Sequence, residues 1–431
     1  MMLALAAALL VGAGGATVQG TPDSVMTVTL EEALERAAGV DPNYVAAMRG
    51  IVDAKWQQRA AYAVFLIPAT TLQLSRTHSN VDFFNIGTGG LTNKITQASA
   101  DFRLNVFSGL SKVFDVGATG AGVAGAEANE IEAKFQTALL TESDYYDVLA
   151  QRELSRVARE RVRRAEEQLD VARARVMSGA AVQTDSLQLL LELTRAQVDL
   201  LQQEARLRVA RIQLGRRIGV TVPVDAAPLA ALPAGPLPIT EQQAVMEALD
   251  EGPRFLGAQA DARAAERAYK SEWGGYLPRV DLFATWQAFG DEVLLPDDTR
   301  RWLYGVQVSF PLWNNAQREI QLSLAKSRRE VARALRDDTE RAVRRDVIEA
   351  YEVFTTARAS ARLAQTAVVV AGENLRVQEQ RYRAGATTIL DLLSSQVSMV
   401  EAEAGLVQAR QAERLALAGL EALLGRRIYA K

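Results

Sequence analysis

The chain has 431 residues, 48% hydrophobic and 23% charged, with a net charge of -3. That composition supplies a packed core rather than a disordered chain, and the near-neutral balance removes the electrostatic ground for binding nucleic acid. No cysteine occurs, so disulfides, thiolate chemistry, Cys-ligated zinc and a lipoprotein cysteine are excluded within this sequence; the one histidine, His78, sits in a polar stretch as an ordinary surface residue.

Residues 3–18 are almost wholly alanine, leucine, glycine and valine. The run is too short for a comfortable span and small residues follow it, so 1–20 is expected to be a signal peptide. Met1-Met2-Leu3 carries no Lys or Arg where the basic end of such a signal would lie. No other segment has 18 uncharged apolar residues in a row, which leaves a β-barrel as the route into a membrane.

The rest reads as one plan used twice. Gly179-Ala-Ala-Val-Gln-Thr-Asp185 matches Gly385-Ala-Thr-Thr-Ile-Leu-Asp391 at a shift of about 206, which also carries Ala196 onto Ala402, Leu214 onto Leu420 and Gly219 onto Gly425. Ala33, Ala37 and Pro42 fall on Ala244, Ala248 and Pro253. The expected boundaries are 21–220 for the first repeat, 221–239 for a linker and 240–431 for the second repeat. Pro223, Pro228, Pro233, Pro236 and Pro238 make the linker extended, because proline suits neither helix nor ladder; it either runs over a helical body or simply joins two domains.

Each half opens with a short helix (30–37; 241–249), then a second helix that runs into Ala61-Tyr-Ala-Val-Phe-Leu-Ile-Pro68 or Trp273-Gly-Gly-Tyr-Leu-Pro278. Two strands follow, at about 69–77 and 98–107 in the first half, and about 279–287 and 303–311 in the second. Leu72 and Leu74 alternate with Thr71, Gln73 and Ser75, and Phe102, Leu104 and Val106 alternate with Asp101, Arg103 and Asn105. Val280, Leu282 and Ala284 alternate with Asp281 and Thr285, Phe283 interrupting the polar side, while Val306, Val308 and Phe310 alternate with Gln307 and Ser309. A period of two gives one apolar and one polar face, and runs of roughly 9–11 residues are long enough to cross a bilayer at a tilt. Tyr62, Phe65, Trp273, Tyr276, Phe107 and Trp313 would form an aromatic girdle; in a soluble sandwich the same residues would be core. Residues 77–97 and 287–301 are expected as long polar loops. Four strands cannot close a barrel, so a membrane reading requires several copies.

A long helix over about 117–177 would measure on the order of 90 Å. After Gly179, Leu187, Leu191, Thr194, Val198, Leu201, Ala205, Val209 and Ile212 form a coiled-coil seam, repeated after Gly385 by Leu393, Val397, Val400, Ala404, Val407, Gln411, Leu415 and Ala418. Each half thus ends in a helical hairpin turning near 179 or 385.

These features, with Leu30-Glu-Glu-Ala-Leu34, Phe310-Pro-Leu-Trp313 and Ala-Leu-Leu-Gly425, resemble the TolC family of outer-membrane efflux channels over nearly the whole mature chain. The resemblance implies an α+β membrane protein: a homotrimer whose strands form a twelve-stranded barrel and whose helices form a long periplasmic tunnel. It implies no cofactor, and as partners a periplasmic adaptor at the turns, an inner-membrane transporter and outer-membrane lipid. The function implied is a passive exit duct for small molecules, drugs or metal ions, or alternatively for type I protein secretion.

In that family a tyrosine before the second glycine turn bonds an aspartate of the first half; Tyr382 and Asp185 occupy those positions, with Thr184 adjacent. An arginine that often adds a second link is replaced by Thr387, an acidic pore position matches Asp391, and a second is Ser394. Gly179, Ala180, Gly385 and Ala386 would form the docking tip. From the residues themselves, Asp185 and Asp391 could equally offset a helix dipole, and Tyr382 could equally be a packing residue. A soluble periplasmic coiled-coil scaffold would explain the helices but leave the amphipathic strands unused. An enzyme lacks any evident nucleophile, phosphate loop or metal-ligand spacing.

Overall fold

The computed structural model describes residues 25–85, 89–233, 235–290 and 300–429; the expected signal peptide lies outside them, as do parts of both expected loops. The chain is mostly helical: β1 Met26–Val28, α1 Leu30–Val40, α2 Pro42–Leu66, β2 Ala69–Asn85, β3 Gly90–Ser108, α3 Ser111–Met177 and α4 Gln183–Arg217. There follow β4 Val224–Ala226, α5 Glu241–Asp250, α6 Pro253–Glu272, β5 Arg279–Gly290, β6 Arg300–Ser309, α7 Gln317–Arg383 and α8 Ile389–Leu424. Two compact units divide it: 1–40, 141–231 and 364–411 form one, and 41–140, 232–363 and 412–431 the other. Among the described residues no helix is long and apolar enough to cross a membrane.

The second unit holds an antiparallel sheet in the order β2-β3-β5-β6. The strands run further than alternation predicts, β2 and β3 pairing as far as Asn85 and Gly90. Cross-strand hydrogen bonds therefore claim most of the residues expected as a polar loop, because a ladder satisfies their main chain whatever their side chains. The register places Leu72, Ala100, Trp286 and Trp302 in one row, and Ala284 and Tyr304 in the next. On the opposite face Thr285 donates to Asp101 (2.8 Å) and Asn105 to Asp281 (2.9 Å). Phe283 lies on this polar face directly opposite Gly305, where a Cβ would come within 3.0 Å of its ring. The aromatic covers the main chain that glycine leaves bare.

The helices of this unit follow the sheet's order. Against α3, α2 is held by Tyr44 to Glu130 (2.7 Å) and Lys55 to Glu127 (3.2 Å). On α3, Gly117 and Gly125 let α6 approach closely, Gly125 facing Ala260 and Gly257 of α6 facing Asn129. The α6–α7 contact carries Arg333 to Glu266 and Arg254 to Asp346, both 2.7 Å. Helix α5 begins with a capping box of Thr240 and Gln243 and packs Ala244, Val245 and Ala248 into a core with Val343, Val347, Phe354, Leu420 and Leu424.

The first unit contains the parallel pair β1–β4, so the proline-rich linker is not wholly outside a ladder. Pro223 offers no N–H, but its carbonyl accepts from Met26 (3.3 Å) and the strand starts one residue later. The buried Tyr145 hydroxyl donates to Ala227 O (2.9 Å), and Arg211 pairs with Asp225 (2.6 Å). The seam expected on α4 is exposed: Leu187, Leu191, Val198, Leu201, Val209 and Ile212 all face outward. A second row, Leu189, Ala196, Leu207, Ala210 and Leu214, is buried instead. Residues two apart on a helix lie on nearly opposite sides, so this helix has two apolar stripes, and periodicity alone does not say which one the chain itself covers.

Where β3 leaves the sheet, Gly109 has φ +65° and a Cβ there would strike Gly274 O and approach Gly274 Cα to 2.8 Å. The converse also holds, a Cβ on Gly274 meeting Ser108 O at 2.8 Å. Gly109→Ala should therefore destabilise the protein by about 1–3 kcal/mol, read as a lower urea midpoint in detergent. In contrast Gly39→Ala in α1, with open space around it, should gain about 0.5–1 kcal/mol.

Candidate functional site

The two helical turns of the first unit hold the residues singled out from sequence. Helix α3 ends in a turn with Gly179 at φ +77° and α7 in one with Gly385 at φ +73°. Both close with the same pair of bonds. Gly179 N–H donates to Val176 O (3.0 Å) and Ala180 N–H to Arg175 O (2.8 Å); Gly385 N–H donates to Tyr382 O (3.0 Å) and Ala386 N–H to Arg381 O (2.8 Å). This is the Schellman pattern, which needs a left-handed residue after the helix and so favours glycine.

An arginine completes each turn. Arg175 Nη2 donates to Ala180 O (3.2 Å) and Arg381 Nη2 to Ala386 O (3.3 Å). Arg175 also reaches the other turn: its Nη1 donates to Tyr382 O, and its guanidinium lies 4.8 Å from the centre of the Tyr382 ring. These arginines escaped the reading of the sequence, although Arg175-Val-Met-Ser-Gly179-Ala180 and Arg381-Tyr-Arg-Ala-Gly385-Ala386 place Arg four residues before each glycine.

Beneath the turns Tyr382 packs with Leu169, Ala172, Leu189, Leu375, Ile389 and Leu392, so its ring is a core residue. Its hydroxyl is buried without a hydrogen-bond partner in the single chain, a state that costs about 1–3 kcal/mol. The expected Tyr382–Asp185 hydrogen bond is thus not made there, although the two interact: burial pushes the phenol's pKa up, and the Asp185 charge adds to that. A cavity of about 50 Å³ beside it, lined by Gln168, Glu379 and Tyr382 among others, has room for water and no larger solute.

The two aspartates differ. Asp391 closes a capping box at the start of α8, its N–H donating to Thr388 Oγ1 (3.2 Å) while its carboxylate accepts from Thr388 N–H (3.3 Å). Thr388 and Thr387 hydroxyls donate to the same carboxylate at 2.8 and 3.0 Å. Asp185 has no such box, because Val182 stands where Thr388 does and α4 begins without a side-chain cap. Thr184, Asp391 and Ser394 are exposed, Asp185 and Thr387 half-buried, and Gly179, Ala180, Gly385 and Ala386 lie exposed at the turns. Among the described residues no group of acidic or histidine side chains could hold a metal ion.

Hydrogen bonds from Thr388, then Thr387, hold the Asp391 carboxyl below its ordinary range. Such a group stabilises the folded form above the unfolded value of about 3.9, and that contribution is lost as pH falls through the lower folded value. Acidification below about pH 4 should raise amide exchange at residues 388–391, and Asp391→Asn should abolish that dependence. Arg175→Ala should speed exchange at both turns, Arg381→Ala only at 384–387; equal profiles would dismiss the arginine staple.

Residues 244–426 match the family described as outer membrane efflux protein. The chain is 27% identical over 267 residues to outer membrane efflux protein BepC of Brucella suis, an alignment covering 62% of this chain and 58% of BepC. It is 27% identical over 305 residues to the pyoverdine export outer membrane protein OpmQ of Pseudomonas aeruginosa, covering 66% of this chain and 60% of OpmQ. The matches thus span less than two thirds of either relative. The crystal structure of outer membrane protein VceC from Vibrio cholerae superposes with a TM-score of 0.78 at 18% identity, over 93% of this chain and 96% of VceC. That likeness identifies the fold.

Proposed function

We propose that the chain, whose residues 244–426 match the family described as outer membrane efflux protein, is one subunit of a trimeric exit duct of a tripartite efflux system. The observation that carries this reading is the open sheet. Among the described residues, strands β2 and β6 each have one neighbour, and one face carries exposed Leu72, Leu74, Trp302, Tyr304, Val306 and Val308. In lipid a free edge leaves several unsatisfied polar groups, each costing several kcal/mol. With four antiparallel strands, β6 of one copy meets β2 of the next antiparallel, so a ring closes without reversing any strand. Three copies give the twelve strands that the resemblance to TolC channels implies, with the face of Asp101, Asp281 and Thr285 turned to the water-filled bore.

Asp185, Thr184, Tyr382, Thr387, Asp391 and Ser394 form the constriction of this duct. The orphaned Tyr382 hydroxyl gains its partner in the closed assembly. Gly179, Ala180, Gly385 and Ala386 present the docking surface for a periplasmic adaptor, which couples the duct to an inner-membrane pump. The cargo is a small molecule, a drug or a metal ion, and the relative OpmQ is named for pyoverdine export; the duct itself performs no chemistry.

Purified from membranes in detergent, the 46.9 kDa chain should run unheated as an oligomer and open channels in planar bilayers. A freely soluble monomer would overturn the reading. Tyr382→Phe should raise single-channel conductance, and Asp391→Asn should weaken block by divalent cations; unchanged values would remove each residue from the constriction.

A further inference from the structure

We propose that the lipid-facing side of the sheet carries, at its end remote from the helices, a binding site for the phosphate-bearing head group of an outer-leaflet lipid, built on Arg76 and Lys94. It rests on the membrane barrel proposed above. The register fixes which residues share that side. Its rows run from Val280 and Val308 at the helix end, through Ala284 and Tyr304, to Leu72, Trp286 and Trp302. Two rows beyond the tryptophans the side chains change character: Arg76 stands across from Thr96, and in the next row His78 stands across from Lys94. Asp101 and Asp281 belong to the other face. Among the paired residues described, the lipid-facing side has no carboxylate.

Height and charge both point to that ligand. The Arg76 row contains Gly290, and the lowest row contains Val280 of the same strand. The stretch between them is about 33 Å of strand at roughly 3.3 Å per residue. At a tilt of roughly 40° it rises about 25 Å, the height of the apolar band on such barrels. Arg76 and Lys94 therefore emerge where hydrocarbon gives way to head groups. They are diagonal neighbours on adjacent strands, about 7–8 Å apart along the backbone. Both are exposed, and neither is ion-paired among the described residues. Two unscreened cations so close repel each other, and a phosphate between them accepts from both, with the His78 ring beside it. Directly below lie the bare side chains of Leu72 and Leu74, which acyl chains would cover. A phosphorylated lipid satisfies both surfaces, whereas free phosphate satisfies only the charge.

The test uses the full chain, purified from membranes as the oligomer and stripped of lipid in detergent. It is titrated with phosphorylated lipid A, with lipid A freed of its phosphates, and with inorganic phosphate, reading the temperature at which the oligomer dissociates. Phosphorylated lipid A should raise that temperature and the other two should not. Arg76→Gln with Lys94→Gln should shift the titration to about thirtyfold higher lipid, as the loss of two cationic contacts requires. Lys94→Gln alone should shift it about fivefold, and stands in should the pair not assemble. Lys94→Arg should leave it unchanged, as should Arg301→Gln, which lies opposite Gln287 on the other face. An equal response to phosphate-free lipid would mean that acyl chains alone are held, and an equal response to inorganic phosphate would mean a free-anion site. An unchanged titration in the Gln variants would put the head group elsewhere. Each of these three results overturns the lipid site and leaves the channel intact. A parent that is a soluble monomer and responds to none of the three ligands would overturn the channel, and the site with it.

Discussion

Among the described residues, main-chain groups along the outer sides of β2 and β6 have no neighbouring strand, and much of the architecture follows from that deficit. A short polar edge could be left to water, but β2 is 17 residues long and carries Leu72 and Leu74 bare on one face. Such an edge is satisfied by another strand or not at all in a hydrocarbon layer. The need extends beyond the sheet, because each edge strand is joined directly to a helix. Within the chain the same link is visible where β3 pairs with β5 and α3 approaches α6 closely, Gly125 against Ala260 and Gly257 against Ala128.

The turns obey a different constraint. A helical hairpin has to stop two helices and start two others in a small space, leaving carbonyls and N–H groups without helical partners. Here left-handed glycines, arginine side chains and the Thr388–Asp391 box take up those groups. Arg175 links the two hairpins, touching its own turn, the carbonyl of Tyr382 and that residue's ring. Tyr382 is thereby held in place by a cation from the other hairpin, with its hydroxyl buried and without a hydrogen-bond partner in the single chain.

Much of this was legible in the residues. Two-residue alternation located all four strands of the sheet, and the paired Gly-x5-Asp segments located both turns, because each pattern is local and its physical cause lies within a few residues. What escaped depended on pairs distant in sequence. Phe283 looks like a fault in a polar face until Gly305 is found opposite it, and Gly109 is unremarked until Gly274 is found against it. On α4 the period marks an apolar row from Leu187, but a second row from Leu189 is the one that the chain itself buries. Asp391 read as either pore charge or helix cap, and only the hydroxyls of Thr387 and Thr388 show that it caps. The β1–β4 ladder was missed for want of a reason to expect three residues after Pro223 to find a partner near the other end of the unit.

The contrast between Val182 and Thr388 has a mechanical consequence. An N-cap side chain is worth about 0.5–2 kcal/mol to the turn it closes, and α4 starts without one while α8 starts with a box that uses both Thr388 and Asp391. The opening residues of α4 therefore fray more readily than those of α8. Any body that must reshape the end of this chain would find the softer handle on the first hairpin, with the second serving as the stiff rim against which it is bent.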